Sequence, residues 1–229
     1  MSMREWQELL GRVELFSSLN PKERETLLNA AEEKEVHRRD CIIPAQPPGQ
    51  FLYLITRGAV KTVRTNGKAN LLVDFYKTGD VLGEDCALLP GENDITAMPF
   101  DSATVLKIPA ENFSRVMESQ PKLGRALAAV CASRARSFRE RLYFMTAAPV
   151  PVRLASILYQ LAKNFGKRDR EGVLIGIRVT HQDLADYIGA SRETVTLFLS
   201  KFKQEGIIVM KVRKIIIPDL KSLKKVGTQ

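Results

Sequence analysis

The chain has 229 residues, enough for one large or two small domains, and its 45% apolar and 27% charged fractions are ordinary for a protein that buries cores. No apolar run reaches the ~18 residues of a membrane-spanning helix. The N-terminal MSMREWQELL is charged and amphipathic where a secretory signal is apolar, so the expectation is a cytoplasmic protein without a membrane partner. The net charge of +9 is uneven: residues 1–147 hold 20 Lys+Arg against 19 Asp+Glu, and residues 148–229 hold 15 against 7. A basic C-terminal third is the electrostatic footprint of a nucleic-acid-binding domain, the alternative being a solvated basic surface. Cys41, Cys86 and Cys131 are widely spaced and form no CxxC, which argues against a disulfide framework and a structural zinc site. Three cysteines cannot supply the four ligands of an iron–sulfur cluster from one chain, and no metal site is expected.

Residues 2–35 read as short helices. Trp6, Leu9, Leu10 and Val13 share a face, followed by Leu15 and Phe16. Asn20 is the expected cap of a second helix, with Pro21 at its first position and Glu23 completing a capping box. From about Val36 the apolar period shortens to two. Turn signals recur at residues 44–49, 57–58, 66–67, 78–80 and 90–94, a rhythm that predicts antiparallel β-structure closing into a roll and ending near Ile108. Asn66 and Gly67 are the strongest hairpin signal, joining strands near residues 60–65 and 71–75.

Residues 109–147 read as helical. A short helix starts at Pro109 and a long one at Gln120 and Pro121. In the long helix Gly124, Ala128, Cys131, Ala135, Phe138, Leu142 and Met145 recur at spacings of four and three, the seam of a dimerisation helix. A second apolar stripe, Leu123, Leu127 and Val130, suits packing on the β-roll. Residues 146–151, with Pro149 and Pro151, predict a boundary and a stiff hinge. A helix over residues 152–165 is expected next, ended by Gly166, then a polar loop over 167–172 and a strand over 173–179.

Residues 180–202 predict a helix-turn-helix. Thr180 caps the first helix with Asp183, Gly189 supplies the left-handed turn, and Ser191 caps the second. Leu184, Ala185, Ile188, Val195, Leu199 and Phe202 face inward, leaving Arg192, Glu193, Thr196, Lys201 and Lys203 outside. Strands near 207–210 and 215–217, joined by a basic turn with Lys211, Arg213 and Lys214, make a wing, and a short basic tail follows. The expected fold class is α+β: an antiparallel β-roll sensor domain over residues 1–120, a dimerisation helix over 121–147 and a winged helix-turn-helix over 148–229.

The run GASRETVTLFLSKFKQEGII resembles the recognition unit of the cyclic-AMP receptor protein and FNR (CRP/FNR) family of bacterial transcription regulators. The family's Ser-Arg-Glu-Thr-Val signature falls here at Ser191 to Val195. QFLYLITRGAVK and GDVLGE likewise resemble the family's cyclic-nucleotide-binding β-roll. The resemblance implies a homodimer that responds to a small-molecule or gas effector, binds a two-fold double-stranded DNA site and works with RNA polymerase. It places base reading at Arg192 and Glu193, where arginine suits a guanine edge and glutamate a cytosine amine. A third family reader, an arginine, is replaced by Leu197, and Thr196 or Leu197 is a candidate for a thymine methyl contact. Thr180, His181 and Gln182 match family positions that touch phosphate. Ser191, Lys201, Lys203, Lys211, Arg213 and Lys214 are further phosphate candidates.

In cyclic-nucleotide members a Gly-Glu pair meets the ribose and an Arg-Ser or Arg-Ala pair about ten residues later meets the phosphate. Gly83 and Glu84 match the first pair; Asp94 and Ile95 stand at the second, with no Arg or Lys between Asp85 and Ala97. The roll is therefore expected to be kept and the cyclic-AMP site lost. Gly83, Glu84, Cys86, Cys131 and Phe138 are the candidate effector pocket. The signal stays open between an organic metabolite or aromatic acid, a gas sensed through haem with His37 in the sensor domain, thiol oxidation at a cysteine, and no ligand at all. Two rivals come from other classes. For an enzyme, no nucleophile–base pair, metal-ligand cluster or phosphate loop is recognisable. A cyclic-nucleotide regulatory protein without DNA function is disfavoured by the basic C-terminal third.

Overall fold

The structure, a computed structural model, describes residues 2–38, 40–44, 50–67, 69–84, 88–89, 94–211 and 214–227. Its contacts divide into two units: Met1–Arg64 with Phe75–Phe138, and Thr65–Asp74 with Arg139–Gln229.

In the first unit local chemistry sets the helix starts. α1 (Met3–Arg12) and α2 (Pro21–Asn29) each begin with a closed capping box, Ser2 with Glu5 and Asn20 with Glu23. Among the described residues five antiparallel strands follow, β1 (Glu32–His37), β2 (Phe51–Thr65), β3 (Asn70–Lys77), the two-residue β4 (Val81–Leu82) and β5 (Thr96–Pro109), in the order β1–β5–β2–β3 with β4 on β2. The hairpin expected at Asn66 and Gly67 joins β2 to β3, with Gly67 at φ 82°. β2 bends through register shifts around Gly58, whose φ is 89° and where a Cβ would lie 2.3 Å from Ser102 O.

The nearly continuous apolar run of β2 has a plain cause: both faces are covered. Leu52 and Leu54 join a core with Trp6, Leu10, Phe16, Leu27, Phe113 and Leu123. Tyr53, Ile55 and Val60 join a second core with Val36, Tyr76, Leu82, Ala97 and Val105. β1 corrects the expectation of helix up to residue 35. It is a charged strand with Val36 its one buried residue, paired to β5, so it has no apolar alternation to read.

α3 (Ala110–Ser119) and α4 (Pro121–Ala147) follow β5. The second stripe of α4 behaves as expected: Leu123 and Leu127 are buried and Val130 packs on the same helical core, but Cys131, expected on the seam, packs on that core as well. Ala128 and Ala135 of the seam are exposed, and Leu142 and Tyr143 are 63% and 68% exposed.

The second unit contains α5 (Val150–Phe165), β6 (Gly166–Asp169), β7 (Gly172–Ile175), α6 (His181–Ile188), α7 (Arg192–Gln204), β8 (Val209–Lys211), β9 (Lys214–Ile217) and α8 (Leu220–Val226). Its sheet runs β6–β7–β9–β8. Two expectations are corrected. Residues 166–169 are a strand pairing with β7 instead of a loop, and the strand placed at 173–179 stops at Ile175. β6 is exposed throughout, so its only signature is hydrogen bonding to β7. The basic tail is also helical: Asp219 accepts from the Lys221 and Ser222 N–H groups, and Leu223 is fully buried.

Candidate nucleic-acid interface

The helix-turn-helix forms as its sequence requires. Thr180 Oγ1 accepts from Asp183 N–H at 3.0 Å, while Asp183 Oδ2 accepts from Thr180 N–H at 2.9 Å. Gly189 closes α6 at φ 64°, ψ 51°, a left-handed conformation that charges a side chain about 1–2 kcal/mol. Ser191 Oγ then accepts from Thr194 N–H at 3.1 Å and starts α7. Leu184, Ala185, Ile188, Val195, Leu199 and Phe202 are all buried, as expected. A Cβ at Gly189 would also come within 2.9 Å of the flexible end of Met145. Gly189→Ala is therefore expected to destabilise this unit by about 1–2 kcal/mol, read as a lower thermal midpoint followed by circular dichroism.

Two arginines cap the other end of α6. Arg141 donates to Tyr187 O from Nε at 3.1 Å and from Nη2 at 2.7 Å, and Arg153 Nη1 donates to Ile188 O at 2.7 Å. Cations here satisfy orphan carbonyls and oppose the negative end of the helix dipole. The Arg141 guanidinium also lies 3.9 Å from the centroid of the Tyr187 ring. Burial, then Asp74, pushes the Tyr187 hydroxyl up to about 12, against the pull of Arg141.

With its apolar stripe inward, α7 exposes Arg192, Glu193, Thr196 and Leu197 together. Leu197 is 53% exposed, an apolar side chain in the middle of a polar face. Glu193 stays ionised into acid, because its own backbone N–H and then the Ser191 hydroxyl hold its carboxyl below the usual range. Beside this face lies an open groove of about 570 Å³ lined by Arg178, Thr180, His181, Gln182, Arg192 and Lys214, floored in part by Met210 and Ile215. Sequence reasoning anticipated most of this set and missed Arg178, Met210 and Ile215. Arg178 sat inside the strand expected at 173–179, and no local pattern ties that position to α7.

The other phosphate candidates are distributed differently. Lys203 is exposed, and Lys201 Nζ lies 5.3 Å from the Phe198 ring centroid. Lys211 Nζ is 2.8 Å from Glu171 Oε2, so it reaches the groove only by giving up that partner. Arg213 lies outside the described residues. His181 Nδ1 is 2.9 Å from Thr196 Oγ1, which joins the start of α6 to the exposed face of α7. Burial, then the Arg192 guanidinium, holds the His181 imidazole below the ordinary histidine range.

The candidate effector residues are not all brought together. Glu84 accepts from Arg134 Nη1; Arg134 Nη2 donates to Val81 O, and its guanidinium stands 4.9 Å from the Tyr76 ring centroid. Gly83 has φ 79°, and a Cβ there would meet Phe51 O at 2.6 Å, so its place is set by close backbone approach. Cys131 packs on the helical core, whereas Gly83 and Glu84 follow Leu82 of the second core. Phe138 is 39% exposed, and Cys86 lies outside the described residues. Asp94 pairs with Arg64 at 2.8 Å. Cations thus reach both carboxylates from β2 and α4, which a search of residues 85–97 could not find. Cys41 Sγ donates to Ile43 O at 2.8 Å, and burial raises its thiol above the usual range, which disfavours the reactive thiolate. His37 is exposed at the end of β1.

Groove, outward recognition face and wing together define a winged helix-turn-helix DNA-binding protein. Comparison with known proteins agrees. Residues 152–226 match the Crp-like helix-turn-helix domain, and residues 33–120 match the cyclic nucleotide-binding domain. The chain is 27% identical to a CRP-like cAMP-activated global transcriptional regulator of Mycobacterium tuberculosis over 95% of this chain and 98% of that protein. It is 25% identical to an anaerobic regulatory protein of Haemophilus influenzae over 90% of this chain and 80% of that one. Among solved structures it shares its fold with the c-di-GMP responsive global regulator CLP of Xanthomonas campestris. That match has a TM-score of 0.75 and 17% identity, covering 87% of this chain and 100% of the other. The chain belongs to the CRP/FNR family of DNA-binding transcription regulators. The relatives are regulators, not enzymes, and no helix among the described residues is long and apolar enough to cross a membrane.

Proposed function

We propose that this protein is a homodimeric regulator that reads a two-fold duplex DNA site and answers to a signal other than cyclic AMP. The observation that carries the reading is the exposed Arg192–Glu193–Leu197 face beside a cationic groove. Arg192 reads a guanine edge, Glu193 accepts from a cytosine amine, and Leu197 meets a thymine methyl. Thr180, His181, Gln182, Ser191, Lys201, Lys203 and Lys214 hold phosphates and set register.

The exposed seam of α4 supports pairing with a second copy, which sets two recognition helices about 34 Å apart. The working division is a sensor over residues 1–120, a dimerisation helix over 121–147 and a DNA-binding domain over 148–229. Residues 146–151 serve as the hinge through which an effector favours one arrangement of the two DNA-binding domains. Asp94, standing where cyclic-nucleotide members carry a phosphate-binding arginine, supports an effector other than cyclic AMP. A role on DNA supports a cytoplasmic protein with RNA polymerase as its partner.

The test is selection of bound duplexes from a random library, with and without cyclic AMP, haemin or oxidant. A palindromic site that emerges regardless of cyclic AMP is the expected result. Binding without any sequence preference would overturn the regulator reading, and enhancement by cyclic AMP would overturn the reading of Asp94.

A further inference from the structure

We propose that each recognition unit takes up one proton at His181 Nε2 when it binds duplex DNA, so that acid strengthens binding. The inference rests on the DNA-binding reading above and adds a mode of regulation to the same site.

The argument starts with one hydroxyl proton. Thr196 Oγ1 donates to Arg192 O at 2.8 Å, the back-bond of a threonine inside a helix. A threonine hydroxyl has one proton to give. Toward His181 Nδ1, 2.9 Å away, Thr196 Oγ1 therefore accepts, so Nδ1 carries the hydrogen. The neutral ring then has its lone pair on Nε2, the atom left to gain a proton.

The surroundings oppose that proton in the free protein and favour it in the complex. The charged groups lining the groove with His181 are Arg178 from the preceding loop, Arg192 from α7 and Lys214 from β9, all cations. On its own helix, Asp183 is held by Thr180 and Asp186 accepts from Gln182 Nε2 at 2.7 Å. Burial first, and then the charge of Arg192, disfavours the charged form of the imidazole; Arg178 and Lys214 add positive charge to the same groove. A duplex deepens the burial but reverses the sign of the surrounding charge, and it supplies an acceptor for the proton. Its phosphates neutralise the groove cations, and its acceptor oxygens meet Nε2. A lone pair facing a phosphate oxygen is a repulsive contact, whereas N–H donating to it is a charge-assisted hydrogen bond.

The sign follows from linkage. The bound-state pKa lies above the free-state value, which itself lies below the ordinary 6.5. Affinity therefore rises as pH falls through the bound-state value and levels off below the free-state value. A one-unit difference gives about tenfold per recognition unit.

The test measures affinity for a duplex recovered by selection, from about pH 8 to about pH 5.5 at fixed ionic strength, the interval in which histidine titrates. Wild type is expected to gain affinity toward acid. His181→Gln should lose the slope and His37→Gln should keep it. Because the chain has 2 histidines, their ring-proton NMR resonances can also be titrated separately, and the His181 midpoint is expected to rise on adding duplex. A flat or reversed wild-type slope, a slope surviving in His181→Gln, or an unmoved His181 midpoint would overturn the proposal while leaving the regulator reading intact. Absence of sequence-selective binding at every pH would instead overturn the reading on which it rests.

Discussion

Arg192→Ala is expected to lower affinity for the selected site by about 2–6 kcal/mol in the dimer, roughly thirtyfold to twenty-thousandfold. That follows from about 1–3 kcal/mol per bidentate base contact in each of two half-sites. Arg192 is exposed at the first position of α7, held there by the Ser191 cap, so its removal exposes no core and leaves the fold intact. The loss should be confined to specific sequence: competition against random duplex shows the preference collapsing while weak, salt-sensitive binding remains. Arg192→Lys should recover little, because a lysine cannot present the planar fork that matches a guanine edge. Lys203→Ala is the contrasting variant, expected to weaken binding to all duplexes alike. If Arg192→Ala weakened every duplex equally, Arg192 would be a phosphate contact and base reading would lie elsewhere.

Ala135→Glu combined with Leu142→Glu is expected to turn a dimer into a monomer. Both positions lie on the exposed seam of α4, and Leu142 leaves most of its side chain in water. Full burial of one leucine contributes about 1.5–3 kcal/mol, and a two-fold interface counts it twice. Four carboxylates brought into that seam would be desolvated and mutually repelled. Sedimentation equilibrium reads the change in mass. Affinity for the two-fold duplex should fall by about 10²–10⁴-fold, since the second half-site is no longer engaged intramolecularly. The double variant should keep the wild-type circular dichroism, because neither position is buried. An unchanged dimer mass would place the interface off this seam.

These two predictions draw on different kinds of legibility. Ser191, Arg192 and Glu193 could be placed from sequence because capping is settled within three residues and the apolar period then assigns the faces of α7. The same holds for the Thr180–Asp183 capping box, the left-handed Gly189, the Asn66–Gly67 hairpin and the Asn20–Glu23 cap. Each involves neighbours a few residues apart, so local chemistry decides it before any tertiary contact forms. The seam of α4 was read by the same helical period; Ala128, Ala135, Phe138 and Leu142 of it are exposed, while Cys131 packs on the helical core.

Tertiary structure decided what depends on partners distant in the chain. β1 and β6 carry charged, exposed residues and become strands because β5 and β7 offer free hydrogen-bonding edges. α8 is a helix because Leu223 finds a buried place, although its sequence reads as a basic tail. Glu84 acquires its cation from Arg134, 50 residues away, and Asp94 from Arg64. The hydrogen bond between His181 and Thr196 spans 15 residues and joins two helices. No periodicity encodes such pairings, since they arise only when the crossing of packed elements brings two side chains within hydrogen-bonding distance. The helix-turn-helix and the outward face of α7 were therefore written in the sequence, while the charge surroundings of the groove belong to the fold.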